Sequence, residues 1–171
     1  MLSGCAQNAA LIPADDFAKK VAVNTSDFDT DLKYVAPKLY GFKKRGLLSA
    51  GDRMKLNLRG WKDKATGKVR HQLYIVIEYD NDWRHYQSAS FLGGSNQDLT
   101  VIDREVTGCH SYSSLGVFCD YRETLGLSFS DTDLNAAKEE GLKIRINAKS
   151  GHENILELPA NYIKGYLQAT L

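Results

Sequence analysis

The chain has 171 residues, 43% of them hydrophobic and 25% charged, with a formal net charge of +1. That usage excludes a disordered or collagen-like chain, and the length suits one domain burying roughly 70% of its unfolded surface. No apolar run reaches the roughly 18 residues of a membrane-spanning helix, and no repeat with a period of roughly 20–50 residues is visible.

In chain order, residues 1–26 read as a small, polar tether with one short helical segment in PADDFAKKVA, where Pro13 starts the helix and Asp15 and Asp16 lie in its first turn. From residue 27 to residue 171 the texture is that of a β domain. LKYVAPKLYGF is apolar and aromatic, with Pro37 marking an edge or bulge. MKLNLRGW alternates, Leu56 and Leu58 on one face and Lys55, Asn57 and Arg59 on the other. KDKATGK reads as a hairpin loop at Gly67, and HQLYIVIEYD aligns Leu73, Ile75, Ile77 and Tyr79 on one face. Strands in WRHYQSASF, LTVIDREV and VFCDYRETLGLSF follow, then a short helix in SDTDLNAAKEEG, capped by Ser130 or Asp131 and stopped by Gly141. LKIRINAK and NILELP are the last strands, and a C-terminal helix packs Tyr162, Ile163, Tyr166 and Leu167. About eight short strands with one or two short helices and no helix–strand rhythm predict an antiparallel, Ig-like β-sandwich, with a β-barrel as the competing closure. Trp61 and Trp83 are expected in its core, although the Cys-Trp-Cys order of antibody domains is absent.

Cys109 and Cys119 flank a turn in CHSYSSLGVFC that can bring two strands together. In an oxidising compartment they are expected to form a disulfide; the alternative is two buried, reduced thiols. Cys5 is then the odd cysteine, and an exported protein must use it otherwise.

Cys5 closes the run Leu2-Ser3-Gly4-Cys5. The run resembles the lipobox of bacterial lipoproteins, a leucine and two small residues before the cysteine that receives the lipid. The resemblance implies a diacylglycerol on the Cys5 thiol, cleavage before Cys5 and acylation of the new amino group, a multi-chain anchor far firmer than one chain. Ala6 after the cysteine resembles the outer-membrane sorting pattern, which implies a lipoprotein facing the periplasm. Met1 to Gly4 alone fall short of a signal's basic and apolar segments, so a signal is expected upstream. If the run is instead a chance match, the protein is cytoplasmic.

Charge is unevenly spread. From Lys33 to His71 there are 12 Lys or Arg against two Asp, a net of +10, leaving −9 for the rest of the chain. Alternation places Lys55 and Arg59, with Lys68 and Arg70 of the hairpin partner, on one outer face. Lys62 and Lys64 are expected at the hairpin tip, and Lys43, Lys44 and Arg45 lie ahead of the first strand. Beside a membrane, such a face suits an anionic envelope component or envelope protein. The alternative is a lysine-rich solvated face that blunts edge pairing. Nucleic acid is not expected, since the aromatic interleaving of single-strand readers is missing.

Catalytic and metal motifs are not found. His71, His85, His110 and His152 share no ligand spacing, and Cys109, His110 and Cys119 lack a fourth zinc ligand. Asp27, Asp29 and Asp31 have the start of a calcium loop, but Leu32 and Lys38 occupy its glycine and glutamate positions, and Asp80-Asn81-Asp82 reads as a turn. The sequence thus predicts a non-catalytic binding or scaffold module without cofactor or metal. The rival is a periplasmic enzyme with a site assembled from scattered residues such as His85 and His110 with nearby acids.

Overall fold

A computed structural model describes residues 9–44, 51–92, 96–112 and 116–170. Cys5 and Arg45 lie outside them. The described chain runs α1 (Ala14–Ala18), β1 (Ala22–Asn24), β2 (Asp31–Val35), β3 (Leu39–Lys43), β4 (Asp52–Asp63), β5 (Val69–Asp80), β6 (Tyr86–Phe91), β7 (Asn96–Asp98), β8 (Thr100–Tyr112), β9 (Gly116–Phe129), α2 (Asp131–Ala137), β10 (Leu142–Ala148), β11 (Glu153–Leu158) and α3 (Ala160–Thr170). All strand pairs are antiparallel and fall into two open sheets, so no barrel closes. The larger has seven strands in the order β1-β2-β4-β5-β9-β8, with β3 also paired to β4; the smaller has four, β11-β10-β6-β7.

Period-two alternation decides which face of the large sheet is buried. Met54, Leu56 and Leu58 of β4, Leu73, Ile75 and Ile77 of β5, and Leu125 and Leu127 of β9 all point to one side and are almost fully buried. The small sheet covers part of that side with Tyr86, Ala89, Ile144, Ile146, Leu156 and Leu158. Its rings meet those of the large sheet at Tyr79–Tyr86 (6.1 Å) and Phe91–Phe129 (6.0 Å). Helix α3 covers the rest through Tyr162, Ile163, Tyr166 and Leu167, all buried as the sequence indicates. The result is a β-sandwich in which none of the described elements covers the other face of the large sheet.

Helix α3 also repairs a gap in the ladder. Along one edge β4 pairs with β3 over Asp52–Leu56 and with β2 over Arg59–Asp63. Between them the Leu58 N–H donates to the Tyr162 hydroxyl (3.0 Å), which itself donates to the Pro37 carbonyl (2.8 Å). The Tyr166 hydroxyl meets His71 Nδ1 at 2.8 Å, and the other ring nitrogen meets Asp131 at 2.6 Å. Gly60 makes this possible, because a Cβ there would overlap the Tyr166 hydroxyl. Burial pushes the Tyr162 and Tyr166 hydroxyls well above the ordinary phenol value of 10.0. Both therefore act as neutral hydrogen-bonding groups.

Several expectations need correction. Eleven strands and three helices are described, where about eight strands and one or two helices were expected. Packing begins before residue 27: Ala9 and Phe17 are buried, and Phe17 meets Tyr162 edge-on at 5.1 Å. The tryptophans are not core residues but only partly buried, Trp61 on the open face and Trp83 in the turn after β5. Tyrosines Tyr86, Tyr162 and Tyr166 fill the core volume instead, each with its hydroxyl in a polar contact. Ser130, not Asp131, is the cap of α2, in a capping box with Asp133. Gly141 does follow that helix, at φ +82°.

Candidate functional site

The uncovered face of the large sheet carries cross-strand rows whose partners follow from register. One row is an alternating charge ladder, Arg53–Glu78–Arg122–Glu105. Its ion pairs measure 3.5, 3.0 and 2.5 Å in turn, and Lys55 also reaches Glu78 at 3.3 Å. Partial burial raises the Glu78 pKa, but Lys55 and Arg122 outweigh it, so the carboxyl ends below its ordinary 4.5. Burial likewise opposes the Arg122 charge, and the bonds to Glu105 and Glu78 more than restore it.

The next row, Lys55–Val76–Thr124–Asp103, has short side chains in the middle and opposite charges at its ends. Beside it runs Asn57–Tyr74–Gly126–Thr100. A cleft of about 420 Å³ lies over these rows, bounded by Lys38 on one flank and by Ile102, Asp103 and Glu105 on the other. Beyond it, the Arg59 guanidinium sits 4.9 Å from the Trp61 ring centre and 4.4 Å from that of Tyr74, while its Nε donates to Gln72 at 2.9 Å. Burial between the rings lowers the Arg59 pKa, partly offset by Tyr74.

The fold divides the basic block. Lys55, Arg59 and Arg70 lie on the open face as alternation indicates, and Arg70 pairs with Asp31 at 2.8 Å. Lys62 lies in β4 rather than at the hairpin tip and reaches the Thr170 carbonyl. Lys64 is in the turn and donates to the Ser26 carbonyl at 2.8 Å; Lys68 precedes β5 instead of lying on its outer face. Lys43 donates to the Glu153 carbonyl at 2.6 Å, and Lys44 follows β3, exposed. Among the described residues, Lys33, Lys38, Arg53 and Arg122 are further cations of the open face.

A second polar cluster lies between the sheets. Glu123 is fully buried and accepts from the Tyr79 hydroxyl (2.5 Å), the His85 and Tyr86 N–H groups (3.0 Å each) and Arg104 Nε (2.8 Å). Burial, reinforced by Glu123, pushes the Tyr79 hydroxyl far above its ordinary value. Nearby, buried Arg84 meets buried Asp52 at 2.8 Å, lies 3.9 Å over the Tyr79 ring and donates to the Tyr86 hydroxyl. Asn154 Nδ2 also donates to that hydroxyl, and Asn154 Oδ1 is buried with no partner among the described residues. Apart from that oxygen, these groups satisfy one another across the two sheets.

Cys109 and Cys119 are directly opposed in β8 and β9 and form a disulfide with a Cα–Cα distance of 4.0 Å. His110 is beside it, 65% exposed and 3.7 Å from Asp120. His85 is elsewhere, stacked on Trp83 at 5.8 Å, so the two histidines of the enzyme alternative lie in different parts of the fold. Among the described residues no three His, Cys, Asp or Glu side chains are grouped to hold a metal, and no helix is long and apolar enough to cross a membrane.

Residue types alone do not reveal Asn57, Thr124 and Asp103 as neighbours. Their juxtaposition is a matter of register, and the one visible signal is the broken alternation at Ile102-Asp103. No family model, curated protein or solved structure matches the chain.

Proposed function

We propose that the protein is a lipid-anchored, non-catalytic binding module of the bacterial envelope, held to the outer membrane through Cys5 and meeting an anionic envelope partner with the open face of the large sheet. The observation that carries this reading is the charge on the β2–β5 part of that face, where Lys33, Lys38, Arg53, Lys55, Arg59 and Arg70 outnumber Asp31, Asp63, Glu78 and Asp80, whereas β8 and β9 add Asp103, Glu105 and Asp120 against Arg122. No other element of the described chain covers it. The Leu2-Ser3-Gly4-Cys5 run and the disulfide agree with an exported, oxidised protein.

The test is sedimentation of the purified protein with peptidoglycan sacculi and with vesicles of lipopolysaccharide, phosphatidylglycerol or neutral phosphatidylcholine. Binding to at least one anionic target is expected at about 50 mM salt and several-fold weaker at about 300 mM, because exposed charges are screened. Charge reversal at Lys33, Arg53 and Arg70 should abolish it. Equal behaviour with neutral vesicles, or no effect of the reversals, overturns the proposal.

A further inference from the structure

We propose that the cleft over Val76 and Thr124 is a binding site for a short zwitterionic peptide, with its carboxylate toward Lys38 and Lys55 and its amino group toward Asp103. This goes beyond the envelope reading, sharing the open face with it but depending on neither the lipid anchor nor an anionic partner.

The argument starts from the floor. Asn57 and Thr124 are each only 5% exposed, yet both line the cleft. The Thr124 hydroxyl has no hydrogen-bond partner among the described residues, and the carboxamide of Asn57 makes only a long 3.4 Å contact to the Leu58 carbonyl. Neither polar end is sealed from solvent, since among the described residues only Asn154 Oδ1 is a buried side-chain atom without a partner, and both present donors and acceptors to whatever fills the cleft. Tyr74, Val76 and Ile102 give the rest of the lining an apolar character. A peptide backbone with small side chains matches such a mixture.

The ends supply the polarity. Glu78 and Arg122 are committed to the charge ladder, and Glu105 is held by Arg122. Lys55 is shared with Glu78 at 3.3 Å, whereas Lys38 and Asp103 make no ion pair among the described residues and stand on opposite flanks. Asp103 faces the cleft because β8 bulges there: the register steps from Val101 opposite Leu125 to Asp103 opposite Thr124, leaving Ile102 as the extra residue. Bulges commonly re-aim side chains in this way. From β4 to β8 there are three interstrand steps, roughly 14 Å between backbones. The reach of the side chains leaves roughly 7–10 Å between charged ends, the span of two or three extended residues.

The probe is trialanine, followed by amide chemical shifts of the folded protein. Saturable shifts are expected at Lys55–Asn57, Tyr74–Glu78, Ile102–Glu105 and Arg122–Thr124. N-acetyl trialanine and trialanine amide should each bind about fivefold more weakly, as for the loss of one partly exposed ion pair. Asp103→Asn should weaken trialanine about as much while leaving the N-acetyl form unchanged, and Lys38→Ala should do the same for the amide. Asp103 and Lys38 are exposed, so both variants are expected to fold. No shifts at about 20 mM trialanine, or equal affinity for the capped peptides, overturns the assignment. Failure of the vesicle experiment leaves this site standing, and loss of trialanine binding leaves the anionic face standing.

Discussion

Arg84 and Asp52 meet at 2.8 Å with side chains 3% and 0% exposed, a buried ion pair in a core otherwise filled by aliphatic and aromatic groups. Burial opposes the Arg84 charge, and its bonds to Asp52 and Tyr86 more than compensate, so its pKa rises. Such a pair contributes little net stability against a hydrophobic replacement, but either half alone is an uncompensated buried charge. Arg84→Met should therefore cost about 3–5 kcal/mol in urea unfolding. Adding Asp52→Asn should recover part of that loss. A single-variant loss under about 1 kcal/mol would mean that the pair is solvated in solution. Glu78 gives a different signature on the open face. Its folded pKa lies below the ordinary 4.5, so its stabilising effect is complete above that pH and disappears as pH falls through the lowered value. The stability difference between the wild type and Glu78→Gln should thus be flat at neutral pH and shrink below about 4.5. A difference that does not change with acid would contradict the ladder.

At the scale of elements, β8 and β9 form a long hairpin whose far end leaves the small sheet behind. Val106, Cys109, His110, Val117 and Phe118 are exposed there, whereas Leu125 and Leu127 on the same β9 are fully buried. With so little apolar burial in the arm, the disulfide across a ten-residue separation is its main constraint, about 2–3 kcal/mol on the chain-entropy model. Replacing both Cys109 and Cys119 by Ser should accelerate amide exchange at Val106–Ser111 and Val117–Asp120, while the amides of Leu73–Ile77 keep their protection. Acceleration throughout β5 would instead show that the bridge supports the whole sandwich. The same contrast explains what was legible in advance. Strands β4 and β5 have one buried and one wet face, so alternation announced them and the placement of Lys55 and Arg59. The arm is wet on both faces, and β8 carries two bulges, so no period survives. Trp61 was misplaced because size suggests burial, whereas its ring is held by Arg59 on the open face. The Arg84–Asp52 pair and the Asn57–Thr124 floor arise only when distant strands come into register, which local pattern does not encode.

For the molecule as a whole, the proposed anchor and binding face make one geometric demand: an anchored domain must meet its partner without that face being covered. The described chain enters at Ala9 against α3, where Asn161 Nδ2 donates to the Ala9 carbonyl at 2.9 Å. Helix α3 lies on the buried side of the large sheet, with Tyr162 bonded to Leu58 and Tyr166 to His71. Ala9 and α3 therefore lie on the side of the large sheet opposite the charge ladder. The anchor itself is a question of mass. In membranes of the native host, the mature protein should begin at Cys5 and carry a diacylglycerol and a further acyl chain, less two hydrogens for the Cys109–Cys119 bridge. Cys5→Ser should move the protein to the soluble fraction with the Cys109–Cys119 disulfide intact. Intact-mass spectrometry of the two fractions separates the possibilities. A lipidated mass that disappears with Cys5→Ser establishes the anchor, whereas an unmodified chain retaining Met1 and three free thiols would remove both the lipid and the oxidising compartment from the proposed function.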